Sequence, residues 1–218
     1  MPKRSSRVDG AEAAPAKRRG EKSSVTCIVC GIYAEGKAAV TRCLLKELES
    51  ATVIASDLKA GRAAVPKKVE VTEYKTETPR VPPDASNVVV LAHDLARPSR
   101  LAAAMASDKR PAVLLTVLDA RSFLDDWESG AEHPLALAAK KDVRAHLHDQ
   151  KACVVLAECV ESADVIALSH ADSADTDELE MLEAMLRELN PSAAVVRRDG
   201  VGEGGGKLLA HLVSSKRP

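Results

Sequence analysis

The sequence predicts an α/β fold in which a mainly parallel sheet is flanked by helices. Short runs rich in β-branched residues recur along the chain, and helical or irregular sequence separates most of them. Such alternation is typical of parallel strands joined by crossover helices. Hydrophobic residues make up 45% of the chain but aromatic residues only 2%, which favours a core of Ala, Val and Leu. The predicted strands are residues 25–30, 52–55, 87–91, 112–118, 165–168 and 193–197.

The first predicted strand runs into a glycine-containing loop and then into a helix. Residues 25–30 are apolar, and residues 37–49 place apolar side chains at helical spacing. Further along, residues 60–85 contain several prolines around the alternating stretch 69–74, which is typical of an exposed edge strand between loops. We therefore expect this segment to be an excursion of the same domain.

The second half of the chain contains the clearest helix signal. Residues 176–189 place leucines on one face, Asp175 stands at the N-cap position, and an Asn-Pro pair ends the pattern. Residues 152–160 are ambiguous, because their valines favour a strand, whereas continuity with residues 140–151 favours a long helix. We predict the helix.

The first residues differ in composition from the rest of the chain. Residues 1–24 contain seven basic and three acidic side chains and lack apolar residues that could anchor them, so we expect a disordered basic tail. Its basic clusters at residues 3–4 and 17–19 have the spacing of a bipartite nuclear address, although a solubilising tail explains them as well. We expect residues 25–214 to form one domain and residues 215–218 a short C-terminal tail.

Hydropathy and composition exclude several classes of protein. The sequence contains no run of about 20 apolar residues and no apolar stretch of the secretory type. We expect a cytoplasmic protein without a membrane partner, and the basic tail leaves a nuclear location as the alternative. The scarcity of aromatic side chains argues against a platform for stacked bases, so no specific nucleic-acid binding is expected.

A phosphate-binding motif follows the first predicted strand. Gly31, Gly36 and Lys37 have the spacing G-x-x-x-x-G-K between a strand and a helix. In such a loop the glycines permit a tight backbone path, backbone N–H groups attract the phosphate, and the lysine reaches the β- and γ-phosphates. The next residue is normally a Ser or Thr that binds Mg²⁺, and here it is Ala38. Glu35 adds a negative charge to the loop, so we expect weak phosphate binding, and an ordinary βα turn remains the alternative.

A second motif lies at the end of the predicted strand 165–168. Ser169 and His170, followed by Ala171 and Asp172, stand where GTP-binding proteins carry N-K-x-D. In that motif the Asp accepts hydrogen bonds from the guanine N1 and N2 groups, so Asp172 predicts a preference for guanine. Ser and His replace the Asn that supports the loop and the Lys whose stem covers the base.

Three stretches resemble the CobW-like family of P-loop GTPases, which includes the CobW, HypB and UreG types. Residues 163–172 resemble its A-D-x-x-x-L-N-K-x-D motif, residues 189–193 its L-N-P-x-A motif, and residues 116–124 its strand running into V-D-A before an F-L segment. The resemblance extends from residue 25 to about residue 213. It implies a P-loop GTPase architecture, a relation to metallochaperones, and GTP or GDP as ligand. It also implies a set of nucleotide-contacting residues: Gly31, Glu35, Gly36, Lys37, Ala38 and Ala39 at the phosphate end, and Ser169, His170 and Asp172 at the base end.

The chain departs from this family where the chemistry takes place. Family members carry an E-[ST]-x-G motif that senses the γ-phosphate, and residues 91–98 lack its acid and its glycine. They also carry a C-x-C-C metal motif, whereas no cysteine lies between Cys43 and Cys153. We therefore expect no zinc, and little or no GTP hydrolysis, because phosphoryl transfer needs a metal ion that neutralises charge and a group that positions water.

Other residues have simpler explanations than a functional site. Cys27 and Cys30 have C-x-x-C spacing, but residues three apart in a strand point to opposite faces, so core packing explains them. His146 and His148 point in different directions on a helix, and a solvated face accounts for both. The glycine-rich residues 202–207 read as a turn before the last helix, and a minor role beside the base stays open.

Two functions of different classes follow. The first is a GTP-preferring, nucleotide-binding protein with weak or absent hydrolysis. The alternative is a pseudo-GTPase that keeps the fold as a protein-binding module and binds no nucleotide. The sequence does not identify the protein partner, and it leaves open whether two copies pair as a homodimer.

Overall fold

A computed structural model describes residues 24–48, 50–75, 79–106, 110–129, 151–198, 208 and 210. Within them a seven-stranded sheet has the order β3-β2-β4-β1-β5-β6-β7, and every pair of neighbouring strands is parallel. The prediction of a mainly parallel sheet is confirmed. The strands are β1 Thr26–Cys30, β2 Thr52–Ala55, β3 Val71–Glu73, β4 Val88–Leu91, β5 Ala112–Asp119, β6 Val165–Ser169 and β7 Ala194–Arg197.

Helices cover both faces of this sheet. Val40 and Leu44 of α1 and Ala64 of α2 pack on one face, together with Leu208 near the C-terminus. Helices α3, α5 and α6 pack on the other face. Burial on both sides explains why the strands are almost continuously apolar. The described helices are α1 Ala34–Glu47, α2 Leu58–Ala64, α3 Pro98–Met105, α4 Phe123–Glu128, α5 Ala152–Ser162 and α6 Thr176–Leu189.

The central strand β1 confirms the predicted packing of its two cysteines. Cys27 belongs to the core cluster under α1, whereas Cys30 belongs to the cluster under α3. Burial raises the pKa of Cys27 to about 12 and that of Cys30 further. Both are therefore protonated core thiols on opposite faces of the sheet, and they cannot chelate one ion.

The two helices predicted in the second half are both present. Asp175 caps α6 by accepting hydrogen bonds from the Asp177 and Glu178 backbone N–H groups at 2.9 and 3.3 Å. The prediction that α5 continues a helix from residues 140–151 is wrong at its junction. Lys151 is extended, with φ −62° and ψ 149°, so α5 begins only at Ala152. The helix starts where its buried face starts, because Ala152 is 4% exposed and Lys151 is exposed.

Several other predictions fall at the margins of the described chain. The edge strand predicted at residues 69–74 is β3, which lies at one end of the sheet. Residues 1–23 of the predicted tail, residues 202–207 and residues 211–218 lie outside the described residues, as do His146 and His148. Among the described helices, none combines the length and the apolar character that a bilayer-crossing segment requires.

Two buried polar side chains tie the second half of the sheet together. Asp164 accepts a hydrogen bond from the Leu114 backbone N–H at 2.8 Å, which joins the start of β6 to β5. Asn190 follows α6 and donates from Nδ2 to the carbonyl groups of Val160 and Ala163 at 2.8 and 2.9 Å. Its Oδ1 accepts from the Ser192 hydroxyl at 2.7 Å. The end of α5, the end of α6 and the start of β7 therefore meet on one side chain.

We expect Asn190→Ala to lower the free energy of unfolding by about 2–4 kcal/mol, because it leaves buried carbonyl and N–H groups without partners. Urea denaturation followed by circular dichroism measures the change. Glu188→Ala, on the exposed face of the same helix, is the matched control and should change stability by less than about 0.5 kcal/mol. Equal effects of the two substitutions would show that Asn190 does not hold this junction.

Candidate functional site

The helix that should follow the phosphate loop begins earlier than the sequence predicted. Helix α1 starts at Ala34 rather than at Lys37, and the Lys37 backbone N–H donates to the Tyr33 carbonyl at 3.0 Å. Ile32 is 5% exposed and packs with Leu95 and Phe123. This burial anchors the chain just after β1, so the first turn of α1 forms inside the expected loop. The predicted loop of residues 31–36 is therefore wrong in its second half.

Close packing constrains both motif glycines, and it constrains Gly31 more strictly than Gly36. Gly31 has φ +128°, and a Cβ at this position would lie 2.3 Å from the Val117 carbonyl oxygen. A Cβ at Gly36 would lie 3.0 Å from Val117 Cγ1 and 3.3 Å from Ser169 Oγ. The start of α1 thus lies directly on β5 and β6. Only glycine readily adopts the backbone conformation of Gly31, whereas a side chain at Gly36 would require Val117 or Ser169 to shift.

Lys37 is not free to meet an incoming phosphate. It is 5% exposed, and its Nζ donates to the Ala92 carbonyl at 2.8 Å. The same ammonium forms an ion pair with the carboxylate of Asp94. Asp94 follows β4, within the stretch expected to replace the γ-phosphate sensor. The Asp94 carboxylate therefore pairs with the lysine ammonium that the predicted motif would use to bind a phosphate.

A cavity of about 220 Å³ lies between α1, α2 and the ends of β2 and β4, and we call it the Lys37 cavity. Asp57 lines it but is already engaged, because it caps α2 by accepting from the Ala60 backbone N–H at 2.8 Å. His93 Nδ1 accepts from the Leu95 backbone N–H at 3.1 Å, and burial lowers the pKa of His93, which keeps it neutral near pH 7. The polar residues that line the Lys37 cavity are Lys37, Ser56, Asp57, His93 and Asp94.

A second cavity, of about 320 Å³, lies on the other side of α1, and we call it the Ser169 cavity. It brings together six of the nine residues predicted to contact a nucleotide. Lys37 lines the other cavity, and neither cavity is lined by Gly31 or Asp172. The predicted residues that meet here are Glu35, Gly36, Ala38, Ala39, Ser169 and His170, and the remaining lining residues are Val40, Arg42 and Arg198.

The base end of this cavity is held by polar contacts to β5. Ser169 Oγ donates to the Leu118 carbonyl at 2.9 Å, so it supports the turn as the Asn of N-K-x-D was expected to do. His170 has φ 57°, and its Nδ1 lies 3.2 Å from Asp119 Oδ2. Partial burial would raise the pKa of Asp119, but hydrogen bonds from Arg121 and the electrostatic effect of the nearby His170 outweigh it and hold this pKa below its ordinary value. The turn after β6 therefore lies beside an ionised carboxylate, and His170 Nδ1 makes no hydrogen bond among the described residues.

Asp172 and Arg198 differ most from the sequence-based picture. Asp172 is exposed, and its Oδ1 lies 3.2 Å from the Ser173 hydroxyl. Arg198, which the sequence analysis did not select, is 3% exposed and lines the Ser169 cavity. The sequence signal that could have identified Arg198 is its position, directly after a predicted strand and before a glycine-rich segment.

The described residues offer no site for a metal ion. No group of three or more His, Cys, Asp or Glu side chains within them could hold one. At the usual magnesium position Ala38 presents a methyl group, and the two acids that line the Lys37 cavity with it, Asp57 and Asp94, are engaged as a helix cap and an ion pair. These residues do not fit Mg²⁺ at its usual place. That the protein carries no zinc stays a prediction.

No protein-family model matches the sequence. Among solved structures, the Zn(II)-bound YjiA GTPase from E. coli superposes with a TM-score of 0.52 at 14% identity, covering 84% of this chain and 59% of that chain. The chain has the fold of the P-loop GTPases. Hydrogenase maturation factor HypB from Archaeoglobus fulgidus superposes with a TM-score of 0.48 at 12% identity, covering 89% of this chain and 91% of that chain. The superposition on YjiA confirms the P-loop GTPase architecture predicted from the sequence, and this chain spans less than two thirds of YjiA.

We expect Asp94→Asn to increase the affinity for GDP by about tenfold, because Lys37 no longer has to leave an ion pair to reach a phosphate. Isothermal titration calorimetry measures the dissociation constant. Asp84→Asn removes a charge from an exposed position away from both cavities and should leave the affinity unchanged. An affinity unaltered or weakened by Asp94→Asn would show that the ion pair does not compete with the phosphate.

Proposed function

We propose that this chain binds a guanine nucleotide weakly and does not hydrolyse it at a useful rate. The observation that carries the proposal is the state of the phosphate motif: Lys37 is paired with Asp94, and Ala38 stands at the place of the magnesium ligand. The fold and the glycines remain those of a nucleotide-binding protein. The side chains that bind γ-phosphate and metal do not.

The start of α1 supports residual phosphate binding. Tyr33 is its N-cap residue, and the Tyr33 side chain accepts no hydrogen bond from the backbone N–H groups of the first turn. The first backbone N–H group to donate within the helix is that of Lys37, which donates to the Tyr33 carbonyl. The N–H groups of Ala34, Glu35 and Gly36 come before it and have no acceptor in the preceding turn. Such uncapped donors, together with the helix dipole, attract an anion. Glu35 in the first turn competes for the same positive potential, which keeps the affinity low.

The Ser169 cavity supports a place for the base. Gly36, at the start of α1, and Ser169, at the end of β6, both line it. A nucleotide with its phosphates at the start of α1 would therefore extend its base toward the turn that holds His170. Asp172 lies two residues further along this turn and is exposed, so a base edge at the cavity mouth can meet its carboxylate.

Hydrolysis requires more than binding. Phosphoryl transfer depends on neutralising the charge of the transferring group and on positioning the attacking water. The described residues place a methyl group at Ala38 and commit Asp94 to Lys37. The resemblance to CobW-like GTPases implies an ancestry in GTP turnover, whereas these two positions argue that this chain has lost it.

A second function is favoured by one specific feature. Ile32 belongs to the same buried core cluster as Phe123, and α1 is helical from Ala34, so three residues, 31–33, connect β1 to α1. A pseudo-GTPase that acts as a protein-binding module without nucleotide would be consistent with this short connection. The absence of any nucleotide binding by a folded protein would favour it over the first proposal.

We expect GTP and GDP to bind about tenfold more tightly than ATP, because the Asp172 carboxylate pairs with guanine N1 and N2 donors that adenine lacks. Titration calorimetry with the three nucleotides, with and without Mg²⁺, measures the ratio. Asp172→Ala should bring the ratio near one, and Glu180→Ala, exposed on α6, serves as the control. Equal affinity for ATP and GTP in the unaltered protein would remove the base-site assignment.

We expect GTP hydrolysis at background level, and we expect Ala38→Thr to increase magnesium-dependent GTP affinity by about tenfold without restoring turnover. The threonine supplies the missing hydroxyl ligand, while Asp94 still holds Lys37. Phosphate release assays and titrations with and without EDTA measure the two effects separately. Robust magnesium-dependent hydrolysis by the unaltered protein would contradict the proposal and show that another carboxylate holds the metal.

A further inference from the structure

Arg198 is a buried cation whose donors are poorly satisfied. Its side chain is 3% exposed, and Nη2 donates to Cys43 Sγ at 2.9 Å. A thiol is a weak acceptor. Its Nη1 is buried and has no hydrogen-bond partner among the described residues. A buried donor without an acceptor costs free energy that a bound ligand could recover.

The backbone of Arg198 is fixed beside the base end of the Ser169 cavity. Its N–H donates to the Leu168 carbonyl at 2.8 Å, which extends the ladder between β6 and β7 by one step. Leu168 directly precedes Ser169 and His170. The side chains of Ser169, His170 and Arg198 all line the Ser169 cavity. Arg198 is therefore held at the wall opposite α1, next to the turn that was predicted to recognise the base.

The two other polar side chains at this end differ in their contacts. Ser169 Oγ donates to the Leu118 carbonyl, whereas His170 Nδ1, 3.2 Å from Asp119 Oδ2, is buried and makes no hydrogen bond among the described residues. The guanidinium of Arg198 is thus the strong donor at this wall that is left with a weak acceptor and an unused N–H group. If the guanidinium turned from the Cys43 thiol to the oxygen or nitrogen acceptors of a ligand, it would exchange a weak hydrogen bond for stronger ones.

We infer that Arg198 reads the O6 and N7 edge of a guanine base in the Ser169 cavity, an inference that rests on the proposed function. The fork of a guanidinium matches two adjacent acceptors, and O6 and N7 of guanine form such a pair. Adenine presents an amino donor in place of O6, and the arginine donors disfavour it. Arg198 thereby determines specificity on the O6 and N7 edge of the base, which adjoins the edge whose N1 and N2 groups are assigned to Asp172.

Base analogues separate these two contacts. GDP, 7-deaza-GDP and IDP are titrated into the unaltered protein, Arg198→Lys, and the control Arg62→Lys, which changes an exposed arginine on α2 outside both cavities. In the unaltered protein GDP should bind about tenfold more tightly than 7-deaza-GDP, which lacks the N7 acceptor. In Arg198→Lys this ratio should fall about threefold, because the lysine ammonium can still donate to one acceptor but lacks the planar fork that engages O6 and N7 together. The ratio of GDP to IDP, which reports the 2-amino group, should change little.

The outcomes distinguish this inference from the function on which it rests. Equal binding of GDP and 7-deaza-GDP by the unaltered protein overturns the role of Arg198 and leaves guanine-nucleotide binding intact. So does an unchanged ratio in Arg198→Lys. If none of the three nucleotides binds to folded protein, the proposed function fails and this inference fails with it. Because the first comparison uses the unaltered chain, it decides the question even if Arg198→Lys does not fold.

Discussion

The contact between the start of α1 and β5 is the constraint on which the rest of the site depends. Gly31 and Gly36 have no side chains, so the helix lies directly on Val117 and reaches Ser169. This position divides the carboxyl edge of the sheet into two cavities, one on each side of α1. Lys37 falls on one side and the predicted base-binding turn on the other. A larger side chain at either glycine would push α1 outward and merge or close these spaces.

The ion pair between Lys37 and Asp94 sets the electrostatics of this edge. The lysine of a phosphate loop normally pairs with the phosphate of a ligand. Here Lys37 pairs with the Asp94 carboxylate, which follows β4. Because the pair is largely buried, breaking it for a ligand costs more than breaking an exposed pair. This cost supports the weak phosphate binding proposed above. The methyl group of Ala38 supports the same proposal, since it offers no hydroxyl ligand for a magnesium ion that would compensate the charge of a phosphate.

The motifs that suggested a GTPase family serve the fold as much as the site. Asp164 and Asn190 stand in the A-D and L-N-P stretches, and both are buried and hydrogen-bonded to backbone groups of neighbouring elements. Removing them would leave unpaired backbone groups in the core. Their folding role alone is therefore enough to account for these two residues, whereas Ala38 shows that a hydroxyl at the usual magnesium position is not needed for the fold. This difference explains how the architecture persists beside altered phosphate and metal positions.

The sequence by itself determined the strands, α6 with its Asp175 cap, and six of the nine residues that line the Ser169 cavity. These follow from local periodicity, from capping, and from the rule that parallel strands bring their carboxyl ends to one edge. The early start of α1, the Lys37–Asp94 pair and the Arg198–Cys43 contact were decided only by the tertiary structure. The partners in these two contacts are 57 and 155 positions apart. Their meeting depends on how buried side chains fill the space between packed elements, and no local pattern encodes that.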